Sequence, residues 1–335
     1  MKRTDFSVDW LFAACAPDTE LLPWNAQFTP VDLPHDWQIR HADDLYRDGT
    51  LFYRKYFFVT DVSGTRRMLW FGGAYMDTTV FVNGTEVGQW KYGYTSFWFD
   101  ITDALHEGQN EVLVRCNLRH PNSRWYSGAG LYRNVELWEA PDLHLMPDGL
   151  YVAAKEGDNG AWTVAVTAEA GSVTAASTGH TLTLHLTDDN GSLLGTAAIP
   201  ADAWAALPSP DGWRTGKETA IYKASHTFTL QDPALWDLDA PSFYHITAEL
   251  TGADGVTDTL TTRFGCRTIE ATPDCGLLVN HKRVLIKGVC IHHDFGCLGS
   301  AFEYSAAKRQ LEILKSMGVN SIRTGHTPPA PQFMD

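Results

Sequence analysis

Two short stretches near the carboxyl end of the chain hold the side chains best suited to chemistry. "CIHHDFGCLG" (290–299) places His292, His293 and Asp294 behind an apolar run, and "RTGHTPP" (323–329) places Arg323 and His326 behind another. Imidazoles and a guanidinium gathered at one place would make a polar substrate pocket; the plainer alternative is that they cap strand ends and hydrogen-bond loops. Histidine and aspartate also suit zinc or iron. Adjacent residues at a strand end point to opposite sides, however, so His292 and His293 cannot both face one ion without a bend, and no metal site is expected. The "DFG" at 294–296 matches a kinase triplet, but no glycine-rich loop, strand lysine or His-Arg-Asp loop accompanies it. No G-x-S-x-G nucleophile elbow is present, and "SGAGLYR" (127–133) lacks the spacing of a dinucleotide loop. Its glycines are expected to let the backbone turn sharply near a partner or ligand.

The elements that must position these groups are a strand, a helix and a strand. "RVLIKGVCI" (283–291) is a nearly continuous apolar run, as expected when both faces are covered. "SAAKRQLEILKSMG" then places Ala307, Leu311, Leu314 and Met317 on one helical face, with Ser305 as the expected N-cap and Gly318 as the C-cap. "VNSIRTGH" supplies the second strand. Such a β-α-β unit pairs its strands in parallel, and side chains at their carboxyl ends converge. His292 or His293 is therefore expected beside His326 and Arg323.

Upstream, the texture is β throughout. "YRKYFFV" (53–59), "RMLWFGG" (67–73), "TTVFVNG" (78–84) and "NEVLVRCNL" (110–118) are aromatic and β-branched runs broken by turn residues, the pattern of a sandwich or jelly roll. Its many tryptophans suit either sugar stacking or burial. "EAPDLHLMPDG" (139–149) reads as a linker. Beyond it, "WTVAVTAEA", "TLTLHLT", "ASHTFTL" and "YHITAEL" alternate with period two, as in a smaller immunoglobulin-type sandwich acting as a spacer. The fold expected from these runs is mainly β: a jelly-roll β-sandwich over 1–140, an immunoglobulin-like β-sandwich over 141–270, and over 271–335 the start of an α/β domain.

Composition removes several classes. A chain of 335 residues with 44% hydrophobic side chains can bury two or three cores, and a formal net charge of -14 argues against nucleic acid or an anionic membrane as partner. No apolar stretch approaches the length of a membrane span. "MKRTDFSVDWLFAAC" starts basic and ends at Cys15 in a lipobox-like way, but Asp5 and Asp9 interrupt it; "FSVDWLF" reads as a first strand and the expected location is cytoplasmic. The six cysteines form no CxxC pair and are expected to be reduced and mostly buried. Asn83-Gly84 and Asn190-Gly191 read as hairpin turns.

"VDLPHDWQI" (31–39), "FVNGTEVGQWKYGYTSFWFDIT" (81–102) and "RWYSGAGLYRNVEL" (124–137) resemble the amino-terminal sugar-binding domain of glycoside hydrolase family 2. "QDPALWDLDAPSFY" (231–244) is similar to its immunoglobulin-like domain. "LIKGVCIHHDFGCLG" and "RQLEILKSMGVNSIRTGHTPPAP" resemble the opening of its (β/α)8 barrel, which implies that 271–335 is the truncated start of such a barrel. The HHD-x-G-x-LG and RWYSGAG versions are those of the β-galactosidase branch, over glucuronidases or mannosidases. The resemblance implies a retaining hydrolase with two glutamates, one protonating the glycosidic oxygen and one attacking the anomeric carbon. It implies that His292 and His326 line the glycone subsite, that Arg323 buttresses the nucleophile, and that the loop around Asn122 and Arg124 reaches toward the active site. Where the family commonly has Ser-His-Asn-Pro, this chain has Gly325-His326-Thr327-Pro328.

A complete barrel takes about 250 residues, and the family's acid/base lies in an Asn-Glu pair on the fourth strand. Residues 271–335 do not include that pair, so no catalytic residue is assigned, Glu303 and Glu312 are expected to be solvated, and the chain alone is expected to be inactive. No cofactor is identifiable in it, although the resemblance allows a divalent metal in the complete barrel. The implied partner is a β-galactoside or related carbohydrate, and the complete enzyme is expected to be a homo-oligomer. The alternatives are a carbohydrate-binding module and an assembly partner of a separately encoded catalytic half.

Overall fold

The computed structural model describes residues 1–41, 43–174, 178–207, 218–252 and 255–335, with the backbone alone at Val256. Two compact units emerge, one of Lys2–Glu139 with Lys287–Asp335, the other of Met1 with Ala140–Ile286.

The first unit contains a two-sheet sandwich. One sheet orders Lys2–Asp5, Val135–Ala140, Arg66–Phe71 and Phe97–Asp100; the other orders Thr29–Val31, Trp10–Cys15, Gly49–Val59, Gly108–Leu118, Thr78–Val82 and Thr85–Trp90. Period-two chemistry explains the layers: along Gly108–Leu118, Asn110, Val112, Val114, Cys116 and Leu118 are buried and the residues between them are not. They join Leu69, Phe71 and Phe99 of the other sheet in one core. Asn83 and Gly84 form a two-residue hairpin with both φ values positive, as that pair requires. "FSVDWLF" is not one strand. Asp9 takes φ 58, and pairing resumes only at Trp10, whose indole donates to the Phe6 carbonyl at 2.7 Å and closes the bend.

In the second unit, His144–Glu156, Ala161–Ser172, Ala220–Gln231 and Ala205–Leu207 form one sheet; Leu193–Pro200, Thr181–Asp188, Tyr244–Gly252 and Gly255–Phe264 form the other. Trp162, Val164, Leu184, Leu186, Phe228 and Ile246 share their core. The expected linker at 139–149 is largely absent: a strand runs to Ala140 and the next starts at His144, because Leu143, Leu145 and Met146 are apolar enough to be buried. The strands Ile269–Thr272, Gly276–Val279 and Lys282–Arg283 form a further small sheet.

The β-α-β unit is present but shorter than its apolar runs suggest. Gly288–Ile291 pairs in parallel with Ser321–Thr324, Gly288 opposite Ser321 and Ile291 opposite Thr324. Val284 instead bonds back to Leu277, and Leu285 and Ile286 are exposed, so 283–287 is no part of this strand. The helix spans Tyr304–Ser316. Its N-cap is Glu303, whose carboxylate accepts the backbone N–H of Ser305 at 3.3 Å and its hydroxyl at 2.7 Å, so the expected cap sits inside the first turn. Ala307 is buried, Leu311 and Leu314 are half-buried, and Met317 is exposed, which narrows the expected apolar face. All six thiols are free, but Cys275, Cys290 and Cys297 are exposed; only Cys116 and Cys266 are buried. No described helix is long and apolar enough to cross a membrane.

Candidate functional site

The parallel register brings Ile291 and Thr324 side by side, so the residues that follow them emerge at the same end. His292 and His326 lie there with ring centroids 6.0 Å apart. Trp125, from the first sandwich, completes the cluster. Its indole stacks on His292 at 5.7 Å and 29° and lies 5.0 Å from His326. Arg323 donates from Nη2 to Nδ1 of His326 at 2.9 Å. A guanidinium can only donate, so Nδ1 is an acceptor there and a neutral ring carries its proton on Nε2. His292, Arg323 and His326 are all exposed. His326 has φ +90, a strained conformation for a residue with a Cβ and one found disproportionately at functional sites.

His293 points the other way, as alternation requires. Its Nε2 donates to the Ser127 carbonyl at 3.0 Å, and its ring packs on Tyr94 and Tyr132. Burial lowers its pKa, which keeps the ring neutral near pH 7. Its Nδ1 and the Gln310 Oε1 have no partner among the described residues. Both residues line a cavity of about 30 Å³, room for a water but not for a sugar. His292 also borders this cavity, but the two rings have different packing partners, and among the described residues no group of three His, Cys, Asp or Glu side chains is placed to hold a metal.

Of the sequence-derived candidates, the structure brings His292, His326 and Arg323 together. Asn122 is exposed, and its amide is engaged locally: it accepts the Tyr75 hydroxyl, and donates to the Arg119 carbonyl and to the Met76 sulfur. Arg124 is exposed with no hydrogen-bond partner among the described residues. Neither contacts the histidines. Trp125, between them in sequence, does. Its indole N–H reaches the Tyr94 hydroxyl at 3.3 Å, and Tyr94 is in turn bonded to Ser127 at 2.9 Å. Its signal in the sequence is an aromatic residue just before the glycine-rich turn 127–130, beside the polar Asn122 and Arg124. Glu303 caps the helix and Glu312 is exposed on it, so neither lies in the cluster. The arrangement offers an aromatic face, two imidazoles and a guanidinium, which suits a hydroxyl-rich ligand with an apolar C–H face.

Comparison with known proteins agrees along the chain. Residues 23–141 match the sugar binding domain of Glycosyl hydrolases family 2, residues 148–267 match a second region described as Glycosyl hydrolases family 2, and residues 271–335 match that family's TIM barrel domain. β-Galactosidase BoGH2A of Bacteroides ovatus is 34% identical over 100% of this chain and 40% of its own length. A putative β-glucuronidase of Formosa agariphila is 29% identical over 99% of this chain and 32% of its own. The crystal structure of a glycosyl hydrolase family 2 member from Bacteroides cellulosilyticus DSM 14838 superposes with a TM-score of 0.86 at 27% identity, covering 100% of this chain and 46% of that one. The chain thus spans less than half the length of these relatives.

Proposed function

Because the chain belongs to glycosyl hydrolase family 2, we propose that it supplies the sugar-recognising part of a retaining hydrolase that acts on β-galactosides. The observation that carries this reading is the cluster of Trp125, His292, His326 and Arg323 at the carboxyl ends of two parallel strands. In it, Trp125 presents an apolar ring, and the imidazole nitrogens and guanidinium hydrogen-bond sugar hydroxyls. Among the described residues no glutamate joins the cluster, so its proposed part is recognition of the sugar and not the paired-carboxylate chemistry of a retaining mechanism. The β-galactoside preference rests on the sequence around 124–130 and 292–299; β-glucuronides are the competing class, because relatives with that name match over the same span.

Calorimetric titration of the chain with galactose, lactose and glucuronate, alongside turnover of the matching aryl glycosides, tests the reading. Galactose binding lost on His292→Ala, with no turnover, is the expected result. Glucuronate binding in place of galactose overturns the substrate class, and hydrolysis abolished by His292→Ala overturns the separation of recognition from catalysis.

A further inference from the structure

We propose that Asp36 and Arg133, two buried charges of the first sandwich, are positioning residues that hold the loops bearing His292 and His326 against Trp125; their relevance to sugar binding rests on the function proposed above. Both are almost fully enclosed, at 3% and 2% exposure. Oδ1 of Asp36 accepts the backbone N–H of Gln38 at 2.9 Å and of Ala129 at 3.0 Å. Oδ2 accepts the Tyr126 hydroxyl at 2.6 Å, and the N–H and hydroxyl of Ser300 at 2.8 and 3.1 Å. A carboxylate taken out of water is costly unless its lone pairs are engaged, and here five neutral donors engage them. Their effect is to tie Ser300, at the end of the loop that starts with His292, to the turn that follows Trp125. Gly128 and Gly299 permit the approach: a Cβ on either would lie 2.7 or 2.2 Å from Oδ2, and both have positive φ.

Arg133 does the reverse with a cation. Its guanidinium donates to the carbonyls of Gly72 at 3.1 Å, Tyr94 at 2.9 Å and Pro328 at 2.9 Å. Pro328 lies two residues past His326. An anion therefore receives from the loop after the first parallel strand, and a cation gives to the loop after the second. The segment 126–133 between them adds two main-chain acceptors, the Ser127 carbonyl for His293 and the Tyr132 carbonyl for Phe302 at 2.9 Å. Hydrogen bonds to ionised groups are roughly twice as strong as neutral ones, so the charges make each clamp stiffer than amides in the same places would.

Selectivity separates positioning from general stability. Histidine ring resonances of the full chain, assigned with His292→Gln and His326→Gln, report the ring current of Trp125; amide exchange reports each loop. Tyr126→Phe/Ser300→Ala removes two donors to Asp36, and Arg133→Lys keeps the charge but cannot reach three carbonyls. The first is expected to shift the His292 ring and speed exchange across 293–300 tenfold or more, with His326 moving less. The second is expected to act on His326 and on 325–327. Equal movement of both rings in each variant, or no movement, overturns the proposal. If Arg133→Lys does not fold, the donor-deletion arm decides alone, and an unmoved His292 with unchanged exchange overturns it. Galactose titration of the unmodified chain distinguishes the two readings: shifted rings without sugar binding refute the sugar reading and leave the clamps, whereas unmoved rings with intact binding refute the clamps.

Discussion

His35 is 7% exposed, and its Nδ1 lies 2.8 Å from the Tyr53 hydroxyl in the middle of the first core. Burial, reinforced by Arg40, lowers its pKa from 6.5 to about 4. The folded ring stays neutral where the unfolded one takes up a proton, so stability falls as pH drops from about 6.5 to about 4 and levels off below, a loss on the order of 3 kcal/mol. Denaturant titration across that window should show this slope, and His35→Gln should flatten it. Space decides a second position. A Cβ on Gly325 would lie 2.8 Å from the Ile291 carbonyl oxygen and 3.1 Å from two atoms of the His292 ring. The ring occupies room that the serine of the commoner pattern would need. Gly325→Ser is expected to displace His292 from Trp125 and to cost about 1–3 kcal/mol of stability. An unchanged His292 ring shift would refute that account.

At the scale of elements, a cap prediction follows from Glu303, whose backbone is still extended (φ -123, ψ 116) while its carboxylate reaches forward to the Ser305 N–H in the first turn. Glu303→Ala should cost about 1 kcal/mol and speed amide exchange at 304–307, whereas Ser305→Ala should change it less, since the Ser305 N–H can still donate to Glu303. The sequence pattern pointed to Ser305, but both residues have side chains that accept N–H, and the point at which the chain leaves extended backbone makes Glu303 the cap. Where a residue pattern is strictly periodic, as along Gly108–Leu118 or Thr181–Asp188, the strands and their buried faces were legible from alternation alone. The apolar run at 283–291 was misleading: it reads as one strand, yet Val284 hydrogen-bonds to a hairpin while Gly288 starts the parallel pair. The site was half legible. Its histidines and Arg323 sit at strand ends, where position implies convergence. Trp125 meets them across more than 160 residues of chain, and no local spacing encodes a contact of that range. The same holds for Asp36 and Arg133, whose partners Ser300 and Pro328 are likewise remote in sequence.

The whole molecule joins segments of very different burial. Every residue from Gly49 to Tyr53 is buried, and that strand is flanked on both sides, by Trp10–Cys15 and by Gly108–Leu118. Gly288–Ile291 and Ser321–Thr324, in the same compact unit, contain no buried residue, and among the described residues they form a two-stranded sheet of their own. Beside them, Ile313 and Met317 of the helix are 42% and 71% exposed. Opening a strand with one neighbour and half-wet side chains breaks few apolar contacts, whereas opening Gly49–Val59 breaks the core, so their exchange free energies must differ. Amides of 288–291 and 321–324 are therefore expected to exchange at least a hundredfold faster than those of 51–57. Ser300 and Phe302, bonded to Asp36 and Tyr132, should fall between the two groups. Exposed parallel edges also template pairing between chains, so the apparent molar mass from light scattering should rise with concentration while the sandwich core stays protected. Equal protection across both sets of strands would mean that the β-α-β segment is stabilised by contacts other than those described, and would overturn this ranking.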